Sequence, residues 1–155
     1  MDTKYTYRCL AASQRINFSL TSTLLYTGPE AKATFVDTPG QEIFYRMRNY
    51  GAMCGDIVLL VIAADDGICT QTEESIGIID SLKVPVIVCI NKVDLLPPET
   101  AQQRLQELES SIRDYVSLQD AEIFHISAMT GHNIDALQAK ISSHIQLFAE
   151  VSGGI

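Results

Sequence analysis

Two unbroken apolar runs constrain the fold of this chain most. Ile57–Ala64 and Val84–Ile90 carry no charge and no polar alternation, so neither suits a sheet with one wet face. Between them, Thr70–Leu82 places Ile76, Ile79 and Leu82 at helical spacing behind a capping-box pattern, Thr70 with Glu73. A buried strand, a crossover helix and a second buried strand form a parallel pair, and both faces of such a pair need apolar cover.

The alternation continues in both directions. Leu20–Tyr26 reads as a strand closed by the turn Thr27-Gly28-Pro29-Glu30, Ala33–Val36 as a short strand, Glu42–Met53 as an irregular helix, and Asp56–Ala63 as the strand of the first apolar run. Pro97-Pro98-Glu99-Thr100 opens a helix with a second capping box at Thr100 and Gln103 and an inner face of Leu105, Leu108, Ile112 and Tyr115. Glu122–Ile126 is the next strand. Asn133 then caps a last helix whose inward residues are Leu137, Ile141, Ile145 and Phe148. The expected class is α/β, a parallel sheet with helices on both faces. Residues 20–150 read as one domain, 1–19 as an N-terminal segment of undefined form, and 151–155, with Ser152-Gly153-Gly154, as a linker stub.

Net charge narrows the partners. With 11 basic against 19 acidic residues, the chain carries −8, which argues against broad contact with phosphate backbones. Direct nucleic-acid binding is therefore not expected, while a protein partner stays open. The longest apolar run is too short to cross a bilayer, and Met1–Arg8 lacks the apolar core of a secretory signal. Cys9, Cys54, Cys69 and Cys89 form no C-x-x-C pair and read as free thiols in a reducing, intracellular compartment, with no zinc site.

Three short motifs carry candidate chemistry. Asn91-Lys92-Val93-Asp94 follows the second apolar strand. A carboxylate at Asp94 can accept two hydrogen bonds from a guanine edge, a pattern that adenine cannot supply, and the Lys92 stem can lie along a base plane. The plainer reading is that Asn91 and Asp94 cap the next helix. Asp37-Thr38-Pro39-Gly40-Gln41 also follows a strand. There Asp37 can hold Mg²⁺ through water, the Gly40 N–H can bond a terminal phosphate, and Gln41 can orient an attacking water. D-x-P-G is equally good turn chemistry. Ser127-Ala128-Met129 follows the strand Glu122–Ile126 and can bring backbone N–H to a guanine carbonyl. All three leave strand ends in one order, and in an open α/β sheet such loops converge on one crevice.

On these residues the chain resembles the guanine-nucleotide domain of translational GTPases, in particular the bacterial and organellar type of translation initiation factor two. The resembling stretch is Ala33–Asp94, ATFVDTPGQEIFYRMRNYGAMCGDIVLLVIAADDG, then QTEESI, then VPVIVCINKVD. The segment Ala63-Ala64-Asp65-Asp66-Gly67 and the Gln71-Thr72 after it are especially similar. The resemblance implies a Ras-like P-loop NTPase fold and GTP or GDP with Mg²⁺ as ligands. It implies nucleotide contacts from Asp37, Thr38, Pro39, Gly40, Asn91, Lys92, Asp94, Ser127, Ala128 and Met129, with Asp37 on the metal and Gln41 at the hydrolytic water. It also implies a protein or ribosomal partner, and cytoplasm or mitochondrial matrix as the compartment.

Three departures qualify it. No G-x-x-x-x-G-K-[ST] occurs anywhere in the sequence. The Thr that ligates Mg²⁺ in the family's first switch aligns with Ile16-Asn17, so Asn17 replaces it and residues 1–19 become the remnant of a first βα unit and switch. An alternative alignment makes Leu20–Leu25 a decayed phosphate loop; the first is preferred because a strand must precede the turn at Gly28. The family's His is replaced by Gln41, the residue that Ras-like GTPases use. Losing three or four charge-assisted hydrogen bonds at about 1.5–3 kcal/mol each removes roughly 5 kcal/mol or more, over a thousandfold in affinity. The expectation is an N-terminally incomplete or degenerate G domain with weak guanine-nucleotide binding and weak or no hydrolysis. The alternatives are a pseudo-GTPase scaffold of an organellar ribosome or translation-factor complex, or an active GTPase with an unrecognised phosphate site.

Overall fold

Six strands form one sheet in the order β2-β3-β1-β4-β5-β6. In this computed structural model, which describes residues 7–12, 22–27, 32–38 and 56–152, the strands are β1 (Tyr7–Ala12), β2 (Ser22–Thr27), β3 (Lys32–Thr38), β4 (Ile57–Ala63), β5 (Val86–Asn91) and β6 (Glu122–His125). The helices are α1 (Thr70–Leu82), α2 (Pro98–Arg113) and α3 (Ile134–Ser152). Every pairing is parallel except that of the edge strand β2 with β3, which is antiparallel.

The apolar runs are unbroken because β4 and β5 serve two cores. Val58, Leu60 and Ile62 of β4 pack with Ile76 and Ile79 of α1 and Leu108 and Ile112 of α2. Their neighbours Ile57 and Leu59 face the other side, with Ile87, Cys89 and the Leu137, Ile141 and Ile145 stripe of α3. Alternation of side chains across a strand turns one run into two buried faces. The expected parallel strands and the inward stripes of all three helices are therefore present. The side chain of Phe148 and the helix expected over Glu42–Met53 lie outside what is described, as does Asn17.

The N-terminal segment holds the main addition. Tyr7–Ala12, within the stretch given no defined form, is a strand between β3 and β4, with Cys9 opposite both Phe35 and Ile57. The domain thus reaches upstream of residue 20. Ser22–Leu25 lies inside β2, paired antiparallel with β3, so the alignment that makes Leu20–Leu25 a phosphate loop fails.

The helix starts also differ from expectation. The cap of α1 is Cys69, whose N–H donates to Thr72 Oγ1 at 3.4 Å, one residue ahead of the Thr70–Glu73 box. Helix α2 begins at Pro98. Proline suits the first turn because its missing N–H would have no partner there, and this draws the start ahead of Thr100. Thr100 Oγ1 instead donates to the Pro97 carbonyl, and Gln103 Nε2 to Glu107. Asn133 stands directly before α3 at φ 58°; its carbonyl accepts from Leu137 N–H at 3.3 Å and its Nδ2 donates to the His125 carbonyl at 3.1 Å, tying the head of α3 to β6.

Ile62 is fully buried between sheet and helices, so Ile62→Ala should cost about 2–5 kcal/mol in urea unfolding. Leu147→Ala, at a site 59% exposed, should stay within about 0.5 kcal/mol of wild type.

Candidate functional site

The three motifs leave the sheet at its carboxyl edge. Ala63 at the end of β4 lies opposite Asn91 at the end of β5, and Ile90 lies opposite His125 at the end of β6. Asp37 and Thr38 are the last residues of β3, beside Ala11 and Ala12 of β1. Pro39, Gly40 and Gln41 lie outside the described residues.

Backbone hydrogen bonds carry the ladder into the loops. Ala64 N–H donates to the Asn91 carbonyl at 2.8 Å, Ile126 N–H to that of Ile90 at 2.8 Å, and Val93 N–H to that of Ile126 at 3.3 Å. One side chain then joins two motifs: Asn91 Oδ1 accepts from Ala128 N–H at 3.0 Å. Asn91 therefore fixes the Ser127-Ala128-Met129 turn relative to β5.

Ser127 builds that turn from inside. It is fully buried. Its N–H donates to the His132 carbonyl, its carbonyl accepts from Gly131 N–H, and its Oγ accepts from Thr130 N–H at 3.1 Å. Gly131 closes the loop at φ 80°, a backbone conformation that suits glycine. Among the described residues the Met129 N–H carries no hydrogen bond, and its side chain is 80% exposed. Asp94 sits in the single tight turn Val93–Leu95, exposed and with no hydrogen bond to its carboxylate among the described residues.

Lys92 turns the other way. It occupies the left-handed region at φ 66°, and its Nζ donates to both carboxylate oxygens of Asp65, at 3.0 and 3.1 Å, with Asp66 at 3.7 Å. Burial works to raise the Asp65 pKa, but the hydrogen bond and charge of Lys92 outweigh it and hold the carboxyl below its ordinary range. In return the Asp65 hydrogen bond raises Lys92, against a smaller opposing effect of burial. Asp65 and Asp66 were not among the expected site residues, although an acidic pair at the end of a buried strand next to β5 is a legible signal.

A cavity among the described residues lies elsewhere. It has a volume of about 580 Å³ and is lined by Lys83, Val84, Ser117, Asp120, Lys140 and His144, among others, near the amino ends of β5 and β6. Ligands of open α/β sheets bind at the carboxyl ends, so the motif-bearing edge is the better candidate.

Residues 11–147 match the model of the elongation factor Tu GTP-binding domain. The chain belongs to that family. Translation initiation factor IF-2 of Chloroflexus aggregans is 45% identical over 108 residues, covering 68% of this chain and 14% of the factor. The IF-2 of Anoxybacillus flavithermus is 44% identical over 108 residues, covering 68% and 15%. The chain thus spans about a seventh of the length of these relatives. Among solved structures, elongation factor SelB of Methanococcus maripaludis in complex with the GTP analogue GppNHp superposes with a TM-score of 0.78. It is 24% identical and covers 92% of this chain and 34% of SelB. Era in complex with MgGDPNP and nucleotides of 16S ribosomal RNA gives 0.75 at 22% identity, covering 89% and 56%. The G domain of a translational GTPase of the initiation-factor type, on a Ras-like α/β fold, is what the sequence resemblance implied.

In this GTP-binding domain, Asn91→Ala should leave the Ala128 N–H without its acceptor. We expect a loss of about 1 kcal/mol in stability and faster hydrogen exchange at Ala128. Asp65 has a pKa depressed on folding, so its contribution is complete above the unfolded-state value and is lost as pH falls through the folded one. In Lys92→Ala the Asp65 midpoint, followed by carboxyl-carbon NMR, should move upward.

Proposed function

We propose that this G domain reads the guanine base through Asp94 and the Ser127–Met129 turn, and binds guanine nucleotides weakly with little or no hydrolysis. The observation that carries this reading is the exposed Asp94 carboxylate, without a hydrogen bond among the described residues, on a loop tied to that turn by the Asn91–Ala128 hydrogen bond. Asp94 would accept from the two guanine donors, and the Met129 N–H would bond the guanine carbonyl. The methylene stem of Lys92 would cover one face of the base.

GTP or GDP with Mg²⁺ are the ligands general to the family. The residues that would take them here are Asp37 for Mg²⁺ through water, Thr38, Pro39 and Gly40 around the terminal phosphate, and Gln41 at the attacking water. With no G-x-x-x-x-G-K-[ST] in the sequence, nothing identified supplies the backbone nest, Lys and hydroxyl that hold phosphates. A positioned water accomplishes little when the group it attacks is not positioned.

A second reading is a pseudo-GTPase module that contacts a ribosomal or other protein partner. A net charge of −8 makes a protein surface a better partner than RNA for this domain. Burial pushes the Cys89 thiol up to about 12, and such a thiol stays protonated and inert. That accords with a reducing compartment, cytoplasm or mitochondrial matrix.

Exchanging an acceptor for a donor at Asp94 tests the base reading. Asp94→Asn should weaken GDP and favour XDP, a swing of about ten- to hundredfold in relative affinity. Equal binding of GDP and ADP by wild type would refute it. Single-turnover hydrolysis of labelled GTP with Mg²⁺ should be near the uncatalysed rate. Clear turnover abolished by Asp37→Ala would establish an active GTPase instead.

A further inference from the structure

We propose that Asp65 is a positioning residue for base reading: it grips Lys92 and thereby sets the direction of the Asn91–Asp94 loop. The inference rests on the guanine reading above and adds a residue from a different strand end to it. Lys92 is the link between two anchored neighbours, Asn91 on Ala64 and Ala128, and Val93 on Ile126. Its left-handed backbone is a conformation that disfavours a residue with a side chain. Something must hold it there, and its side chain makes a bidentate bond to Asp65, with Asp66 farther off at 3.7 Å.

Asp65 is itself well placed to hold. The turn that carries it is closed by Gly67 N–H on the Ala63 carbonyl at 2.8 Å and by Arg104 Nε on the Ala64 carbonyl at 3.3 Å. Gly67 closes the turn at φ 76°, a backbone conformation that suits glycine. The ammonium of Lys92 is thus pinned to the end of β4, while its methylenes and the adjoining Asp94 remain open to a ligand. The pair is partly exposed, so the effect is modest and should fade in high salt.

The test uses the full chain and two readouts: affinities for GMP and AMP, and amide exchange at Val93 and Ala128. Asp65→Ala should weaken GMP about two- to fivefold, leave AMP unchanged and speed exchange at both amides, with Ile90 unaffected. Asp65→Glu should restore most of the GMP affinity, and Asp65→Ala should add nothing in a Lys92→Ala background. Unchanged GMP affinity in Asp65→Ala overturns the proposal, even if exchange is faster, because Asp65 is then structural only. A wild type that does not prefer GMP to AMP refutes the guanine reading itself. In that case exchange alone decides whether Asp65 fixes the loop, and unchanged rates show that it does not.

Discussion

Burial of β4 on both faces is the constraint on which the rest depends. Its even-numbered residues, Val58, Leu60 and Ile62, close the core under α1 and α2, while Ile57 and Leu59 close the core under α3. A strand held from both sides cannot slip by one residue without exchanging the two sets. The register with β1 and β5 follows, and with it the height at which each strand ends. The loops at the carboxyl edge are therefore positioned by apolar packing on both sides of the sheet.

From that edge outward the forces become weaker and more directional. A buried Ile is worth about 2–5 kcal/mol, a hydrogen bond such as Asn91–Ala128 about 1 kcal/mol, and a partly exposed ion pair such as Lys92–Asp65 less than that. The elements proposed to read the base hang from the sheet by a few modest contacts. Such loops open more readily than the core beneath them, and selectivity there relies on several small bonds acting together.

Much of this was legible in the sequence because periodicity and motif agree. The apolar runs, the Ile76–Ile79 and Leu137–Ile141–Ile145 stripes and the Asn-Lys-x-Asp after a buried strand each point to one arrangement. Tyr7–Ala12 escaped because YRCLAA is short, begins with a polar pair and has no turn signal to frame it, so its strand state is set by β3 and β4. Cap positions moved because the Cys69 N–H finds Thr72 Oγ1 one residue early and because Pro98 already suits a first turn, so neither helix starts at its threonine box. Ser127 was legible as a site residue, but its role as the buried scaffold of the turn depends on His132 and Gly131, contacts that no spacing rule announces. Asp65 lies far from Lys92 along the chain, and only the pairing of β4 with β5 brings the two together.

The central claim is that the Asp94 and Ser127–Met129 edge distinguishes guanine from adenine without help from a phosphate loop. Titration of the isotopically labelled chain with GMP and with AMP, followed by amide NMR, tests it most directly. The account predicts shifts at Val93, Asp94, Ala128 and Met129 that saturate with GMP at concentrations about tenfold or more below those needed for AMP. An equal response to both nucleotides, or shifts confined to the cavity of Lys83, Ser117 and His144, would contradict it.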